Sequence, residues 1–402
     1  MTAQATKSIP TPISSTSRAS DLLARARALR GLIESEAGNA EHNGTVSLNV
    51  IEAMREAGFF WTLCPRELGG AEESILTHIS VLEEIARSDG STGWTLMANA
   101  TATTVAATQC SDEHVARMFG GSRLPVMALA YAPTGRVSID NGNFKGGGRW
   151  GFGSGIAHAD WVSGGLMVQE GGSPKMMPNG MPQVVGAFVP RSQVRLHGNW
   201  DVTGLQGTGS YDFELPEQNI DKGWTFNQYF TESYRGGAIA ALGTYAYAPA
   251  GHVAVVLGLA RRSLQEIARI AISRKRLGSS EMIAANSVFR LEFMRHEALF
   301  QAARAMVFQA YGAAEATAKS GKPVSALEHA RLRQASTWGH QAAKEVVLFA
   351  FGAGASASLR NPSVLGRCLR DMTVAAQHII VDQQTLVDAA PEVIASWADA
   401  NS

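Results

Sequence analysis

Two places in the sequence put reactive side chains at telling spacings. In "GRWGFGSGIAHADWVSGG", residues 148–165, Ser154, His158 and Asp160 stand among glycines and between Trp150, Phe152 and Trp161. The stretch is too glycine-rich for a helix and too aromatic for a linker. Glycines let a backbone come close to a flat partner. In "LGRCLRDMTVAAQHIIVD", Arg367, Asp371, Val374, His378 and Asp382 recur at spacings that share one helical face. A solvated, salt-bridged stripe would look the same. The apolar residues around His378, however, predict a buried imidazole, which a neighbouring charge can tune towards neutral pH as acid or base.

Other chemistries are excluded by pattern. Gly146-x-Gly148-x-x-Gly151 matches a dinucleotide fingerprint, but that fingerprint needs a strand before it and a helix opening at it. Here aromatic, strand-forming residues follow. No phosphate loop, zinc-protease helix or nucleophile elbow occurs, and the ten histidines never reach metal-ligand spacing, so no metal is expected. Lys+Arg and Asp+Glu both number 35, a balance that suits neither nucleic acid nor an anionic membrane. Three scattered cysteines form no disulfide framework and fit a reducing cytoplasm. The apolar run from Arg235 to Arg261 is broken by Pro249 and glycines, so it reads as buried helix rather than a membrane span.

The elements that must carry these residues fall into three blocks. Residues 1–20 read as a disordered Ser/Thr-rich tail. Residues 21–122 are helical, with Asp89-Gly90 closing one helix and Ser91 capping the next. Residues 123–222 hold short strand-like segments and an Asn-Gly turn, which predicts an antiparallel β-barrel or sandwich. Residues 223–402 return to long helical patterns, three or four of which make an antiparallel bundle. The last of these begins at "NPSVLGRCLRD", with Asn361 as its cap and Pro362 in the first turn.

This helix–strand–helix order resembles the acyl-CoA dehydrogenase fold from about Leu22 to Val387. "CPRELGGAEESILTHISVLEEIARSDGSTGW", "WDVTGLQGTGSYDFELPEQNI", "SRKRLG" (with Leu277 for the family's Phe) and "FGAGASASLRNPSVLGRCLRD" resemble its motifs in the same order. Within that fold, Trp150, Phe152, Ser154, Gly155, His158, Ala159, Asp160 and Trp161 resemble the signature of two-component flavin-dependent monooxygenases. That branch includes the hydroxyphenylacetate, secosteroid and dibenzothiophene enzymes. Dehydrogenases carry Thr-Asn-Gly where this chain has Gly-Ser-Gly. Many also carry a glutamate just beyond Arg-Asp, where this chain has His378.

The resemblance implies an oxygenase component that takes reduced FMN or FAD from a separate flavin reductase. With O2 it would form a C4a-hydroperoxyflavin and hydroxylate an aromatic or polycyclic substrate, of indole or phenol type. Ser154 would act at flavin N5 and His378 beside the substrate. Trp150, Phe152, Gly153, Gly155, Arg274, Gly352 and Arg370 would line the cofactor, Arg274 from a neighbouring subunit of a homotetramer. Trp94, Asn99 and His158 would line the substrate pocket, with Asn99 joining Ser154 and His378 as a catalytic residue. For Asn99 and His158 a purely structural role fits equally well, and Arg367 and Arg370 divide between flavin binding and salt bridges. An acyl-CoA dehydrogenase using Glu266 or Glu281, and a nitrososynthase-type amine oxidase, remain as alternatives.

Overall fold

A computed structural model describes residues 15–228, 233–276 and 278–398. The expected tail therefore lies outside the described residues up to position 14, while residues 15–20 already belong to a helix. Leu277 is also outside them.

Among the described residues the first six helices are α1 (Ser15–Ala28), α2 (Arg30–Asn43), α3 (Leu48–Glu56), α4 (Ile75–Ser88), α5 (Gly90–Gln109) and α6 (Asp112–Phe119). The break between α4 and α5 is made by Asp89, which takes an extended backbone and accepts the Thr92 N–H at 2.8 Å. Asp89, not Ser91, is thus the cap. Ser91 sits in the first turn and accepts the Gly207 N–H at 3.1 Å, tying a distant loop to α5.

Nine strands follow among the described residues: β1 (Met127–Asp140), β2 (Asn143–Gly153), β3 (Trp161–Glu170), β4 (Ser173–Pro174), β5 (Val184–Ala187), β6 (Val189–Pro190), β7 (Arg195–Leu196), β8 (Tyr211–Ile220) and β9 (Thr225–Asn227). They form one sheet in the order β7-β8-β2-β1-β3-β5-β9, with β4 and β6 beside β3. All pairings are antiparallel except β1 with β3, so the sheet is mixed rather than wholly antiparallel. The cause is local. The 3-10 turn Ile156–His158 and the reversal at Asp160 carry the chain back past β2, so β3 starts beside the start of β1.

The remaining helices are α7 (Gly237–Leu242), α8 (Thr244–Ser273), α9 (Ser287–Lys319), α10 (Ala326–Gly354), α11 (Ser356–Leu359), α12 (Val364–Ala375) and α13 (Gln384–Ala398). A capping box at Ser325 and Glu328 starts α10. The cap of α12 is Ser363, whose hydroxyl accepts the Gly366 N–H at 3.0 Å. Asn361 and Pro362 lie before it, which corrects the expected start. α8 is the spine of the molecule: α4, α5, α9, α10 and α12 all pack on it. One apolar core therefore runs through both helical blocks, while the sheet keeps its own core. No described helix is long and apolar enough to cross a membrane.

Candidate active site

Ser154 lies just past β2, where the chain turns, and its hydroxyl is the centre of the site. The Trp94 indole on α5 donates to Ser154 Oγ at 3.1 Å. Ser154 Oγ also lies 2.7 Å from Ser210 Oγ, which lies 2.8 Å from Thr208 Oγ1, which donates to the Leu205 carbonyl at 2.8 Å. Ser210 and Thr208 are buried. The loop carrying them is fixed from both helical blocks. Ser91 holds Gly207, and Asp371 Oδ1 on α12 accepts the Leu205 N–H at 2.6 Å. Asp371 is fully enclosed, and burial, with the Asp89 charge second, pushes its carboxyl up to about 8.

On the other edge of Trp94 stand two histidines. His252 of α8 meets the indole edge-on at 4.8 Å between ring centres, and His378 at 6.0 Å. The two imidazoles are 4.2 Å apart. A third, His340 of α10, donates from Nδ1 to the Ser336 carbonyl at 2.8 Å. Burial lowers His340 to about 4 and takes His252 well below its ordinary value. Part of His378 reaches solvent while its ring is largely surrounded by protein, and desolvation lowers it to about 4. All three are neutral at pH 7. The expectation of a histidine tuned towards neutrality is therefore corrected: with no carboxylate beside it, desolvation wins.

The helical face drawn through His378 also needs correction. α12 ends at Ala375, and His378 instead begins a 3-10 turn, where its Nδ1 accepts the Ile380 N–H at 3.2 Å. A neutral ring that accepts at Nδ1 carries its proton on Nε2. His378 thus offers an N–H donor, not a base. Asp382 lies beyond that turn.

Other sequence candidates fall elsewhere. Trp150 is a core residue of the sheet, 1 % exposed, donating to the Gly165 carbonyl at 3.0 Å and stacking on Phe213. It is not a cofactor contact. The flat ring that the glycines accommodate is this indole: a Cβ on Gly164 would lie 2.5 Å from Trp150 Cδ2, and one on Gly148 2.9 Å from Cη2. Asn99 is completely buried, donates to the Met127 carbonyl at 2.7 Å and sits under Gly155, where a Cβ would lie 2.7 Å from its Cγ. It braces the turn (Gly155 has φ +68°) from a fully buried position, which corrects its assignment as a catalytic or substrate-contacting residue. Gly153 pairs with Tyr211. His158 bonds through Nε2 to Thr45 at 3.0 Å, towards the N-terminal helices. Asp160 accepts from Arg55 and from the Val126 N–H, and Trp161 stacks on Trp224.

Phe152 remains on the open side, 76 % exposed at φ +62°, with Trp200 edge-on to it at 6.2 Å. A bulky residue held at positive φ is uncommon and marks a constrained, often functional position. Arg370 and Arg367 both pair with Glu41. Arg274 is exposed at the end of α8, about 33 Å along the axis from His252, and exposed Gly352 is about 18 Å along α10 from His340. Both positions are thus remote from the Ser154 site within this chain. The sequence reading missed His252, His340, Thr208 and Ser210. A histidine inside the most apolar run of the chain was the available signal for His252; the Ser210–Thr208 pair had none.

The chain matches the acyl-CoA dehydrogenase N-terminal domain over residues 22–120 and the acyl-CoA dehydrogenase C-terminal domain over residues 250–383. It belongs to the acyl-CoA dehydrogenase family, in the branch whose named relatives are flavin-dependent monooxygenases. It is 29 % identical over 358 residues, 88 % of each chain, to indole-3-acetate monooxygenase of Pseudomonas putida. It is 30 % identical over 163 residues, 40 % of each chain, to the flavin-dependent monooxygenase oxygenase subunit HsaA of Rhodococcus jostii. Among solved structures it is similar to XiaF from Streptomyces in complex with FADH2 and glycerol. That match has a TM-score of 0.86 at 18 % identity and covers 95 % of this chain and 96 % of the other.

Proposed function

We propose that this chain is the oxygenase component of a two-component monooxygenase acting on an indole-type or phenolic aromatic substrate. Reduced FMN or FAD would come from a separate flavin reductase, in keeping with relatives named as oxygenase subunits. The observation that carries the reading is the Trp94–Ser154 hydrogen bond beside two neutral histidines. The similarity to indole-3-acetate monooxygenase over 88 % of both chains supports the substrate class.

The site fits a flavin ring. Phe152 and Ile379, next in sequence but one to Ser154 and next to His378, leave apolar surface open, and Ser154 keeps a lone pair free for a ring-edge N–H. When bound, reduced flavin supplies the two electrons with which dioxygen is divided between substrate and water. Ser154 would hold the N5 edge, and Trp94 fixes Ser154. His378 would offer its Nε2–H to a polar group of the substrate. Because burial keeps His252, His340 and His378 uncharged, no imidazolium stands beside the ring to deliver a stray proton. Arg274 and Gly352, remote from their own cleft, would reach the flavin of a neighbouring subunit. Exposed Val288, Leu291 and Met294 on α9 give such a homotetramer an apolar surface to bury.

A dehydrogenase needs a carboxylate base at the ring. Glu266 lies about 21 Å along α8 from His252 and faces Arg269, and Glu281 lies past the end of α8. The test is to supply the protein with chemically reduced flavin, oxygen and indole-3-acetate, and in parallel with FAD and butyryl-CoA. Oxygen-dependent consumption of the indole supports the proposal; bleaching of FAD by butyryl-CoA would overturn it.

A further inference from the structure

We infer that Thr208 and Ser210 make this site selective for reduced over oxidised flavin, by fixing the Ser154 hydroxyl so that it can only accept a hydrogen bond. The inference rests on the reading that Ser154 faces ring N5.

Each hydroxyl has one proton to give and two lone pairs to receive. The Leu205 carbonyl has nothing to donate. It collects the Thr208 N–H at 3.1 Å, the Thr208 hydroxyl at 2.8 Å and the Trp200 indole N–H at 3.3 Å. Thr208 has therefore used its proton, so in its 2.8 Å contact with Ser210 it must accept, and Ser210 must donate. Ser210 has then used its own proton, so in the 2.7 Å contact with Ser154 it must accept, and Ser154 must donate. Trp94 is donor only, and it takes one lone pair of Ser154. What Ser154 has left to show a ligand is a lone pair.

The anchor of this chain is well held. Thr208 and Ser210 are 1 % and 2 % exposed, so water cannot exchange freely into the sequence of bonds. Leu205 sits at φ +52°, and its N–H is bound by Asp371. Asp371 belongs to the Arg-Asp motif that the sequence singled out, and this is what its carboxyl group reaches.

The two redox states of a flavin differ at N5 in the property that this arrangement reads. Reduced N5 carries a hydrogen and donates; oxidised N5 carries a bare lone pair and accepts. A Ser154 locked as acceptor bonds the first and opposes the second. Oxidised product would be released and reduced co-substrate retained with no movement of the protein backbone.

The experiment is an anaerobic and an aerobic equilibrium titration of the full-length protein with reduced and oxidised FMN and FAD, read by fluorescence. Variants are Thr208→Val, Ser210→Ala, Thr208→Ser and Ser154→Ala, with melting temperature as the folding control. In Thr208→Val, Ser210 can turn its proton to Ser154; in Ser210→Ala, Ser154 has no acceptor. Either change frees the Ser154 proton for the ligand. We expect the reduced-to-oxidised affinity ratio to fall at least about fivefold in both, mainly through tighter oxidised flavin, a factor that one neutral hydrogen bond supplies. Thr208→Ser should retain the wild-type ratio. If Ser154→Ala shifts the ratio while Thr208→Val and Ser210→Ala leave it at the wild-type value, the inference is overturned and the reading of Ser154 stands. If Ser154→Ala changes neither affinity, both are overturned.

Discussion

Gly164→Ala separates two explanations of the glycine-rich stretch. If those glycines admit the protein's own indole, the substitution strains the sheet core; if they admit a cofactor, it spares the fold and weakens binding. The new methyl carbon would lie 2.5 Å from Trp150 Cδ2, where ordinary contacts are 3.4 Å or more, so ring or strand must move by about 1 Å. The ring has little room. It is 1 % exposed, tethered through Nε1 to Gly165 and stacked on Phe213 at 5.2 Å. Overpacking of this kind costs roughly 1–3 kcal/mol, and the tether places it near the upper end. Trp150→Phe leaves a smaller, untethered ring that can shift away from the new methyl, and itself costs about 2 kcal/mol in lost contacts and one hydrogen bond. The double variant should then be destabilised by only about 2–3 kcal/mol instead of the sum of ~5, a coupling of roughly 2 kcal/mol. Denaturant unfolding of the four proteins, with flavin titration of each, measures this. Strict additivity, or a Gly164→Ala protein of wild-type stability that has lost flavin affinity, would refute the packing account.

Ser154→Ala should raise the share of consumed oxygen appearing as hydrogen peroxide about fivefold, the equivalent of ~1 kcal/mol, measured by peroxide assay against product yield. Asp371 holds its proton more tightly folded than unfolded, so its contribution to stability is complete below about pH 4 and is lost as pH rises towards about 8. Asp371→Asn, which keeps the acceptor for Leu205 N–H, should flatten that decline in melting temperature between about pH 4 and 8. His340 behaves oppositely: its contribution is present above pH 6.5 and is lost as pH falls towards about 4, by on the order of 3 kcal/mol. His340→Asn should shallow the acid limb of the stability curve. Arg274→Ala should weaken flavin binding while leaving the oligomer intact by light scattering; unchanged affinity would remove Arg274 from the cofactor site.

Helix–strand–helix order was legible because it rests on periodicity, which each segment carries by itself. The resemblance also singled out Ser154, which the structure brings against the Trp94 indole. The roles of neighbouring motif residues were not. Trp150, His158, Asp160 and Trp161 lie within eleven positions of Ser154, yet the alternation of β2 and the turn after it send them to the sheet core, Thr45, Arg55 and Trp224. A motif records which residues matter, not which way they point. Asn99 misled for a related reason: a polar residue on an apolar helix has the same sequence signature whether it meets a ligand or a backbone turn. His252 and His378 are 126 positions apart and meet only because α8 runs past the end of α12, a tertiary fact with no local trace. The 3-10 turn at His378 was hidden because a spacing of four matches a helix that has already ended.

The central claim is that this cleft transfers one oxygen atom from dioxygen to an aromatic substrate. The most direct measurement is mass spectrometry of indole-3-acetate, and of a panel of phenols, after turnover with reduced flavin under 18O2. The account predicts a product carrying one 18O atom, in lower yield when Ser154→Ala diverts more of the oxygen to peroxide. Complete recovery of the label as peroxide and water across the panel, with bound flavin reduced by an acyl thioester, would contradict it.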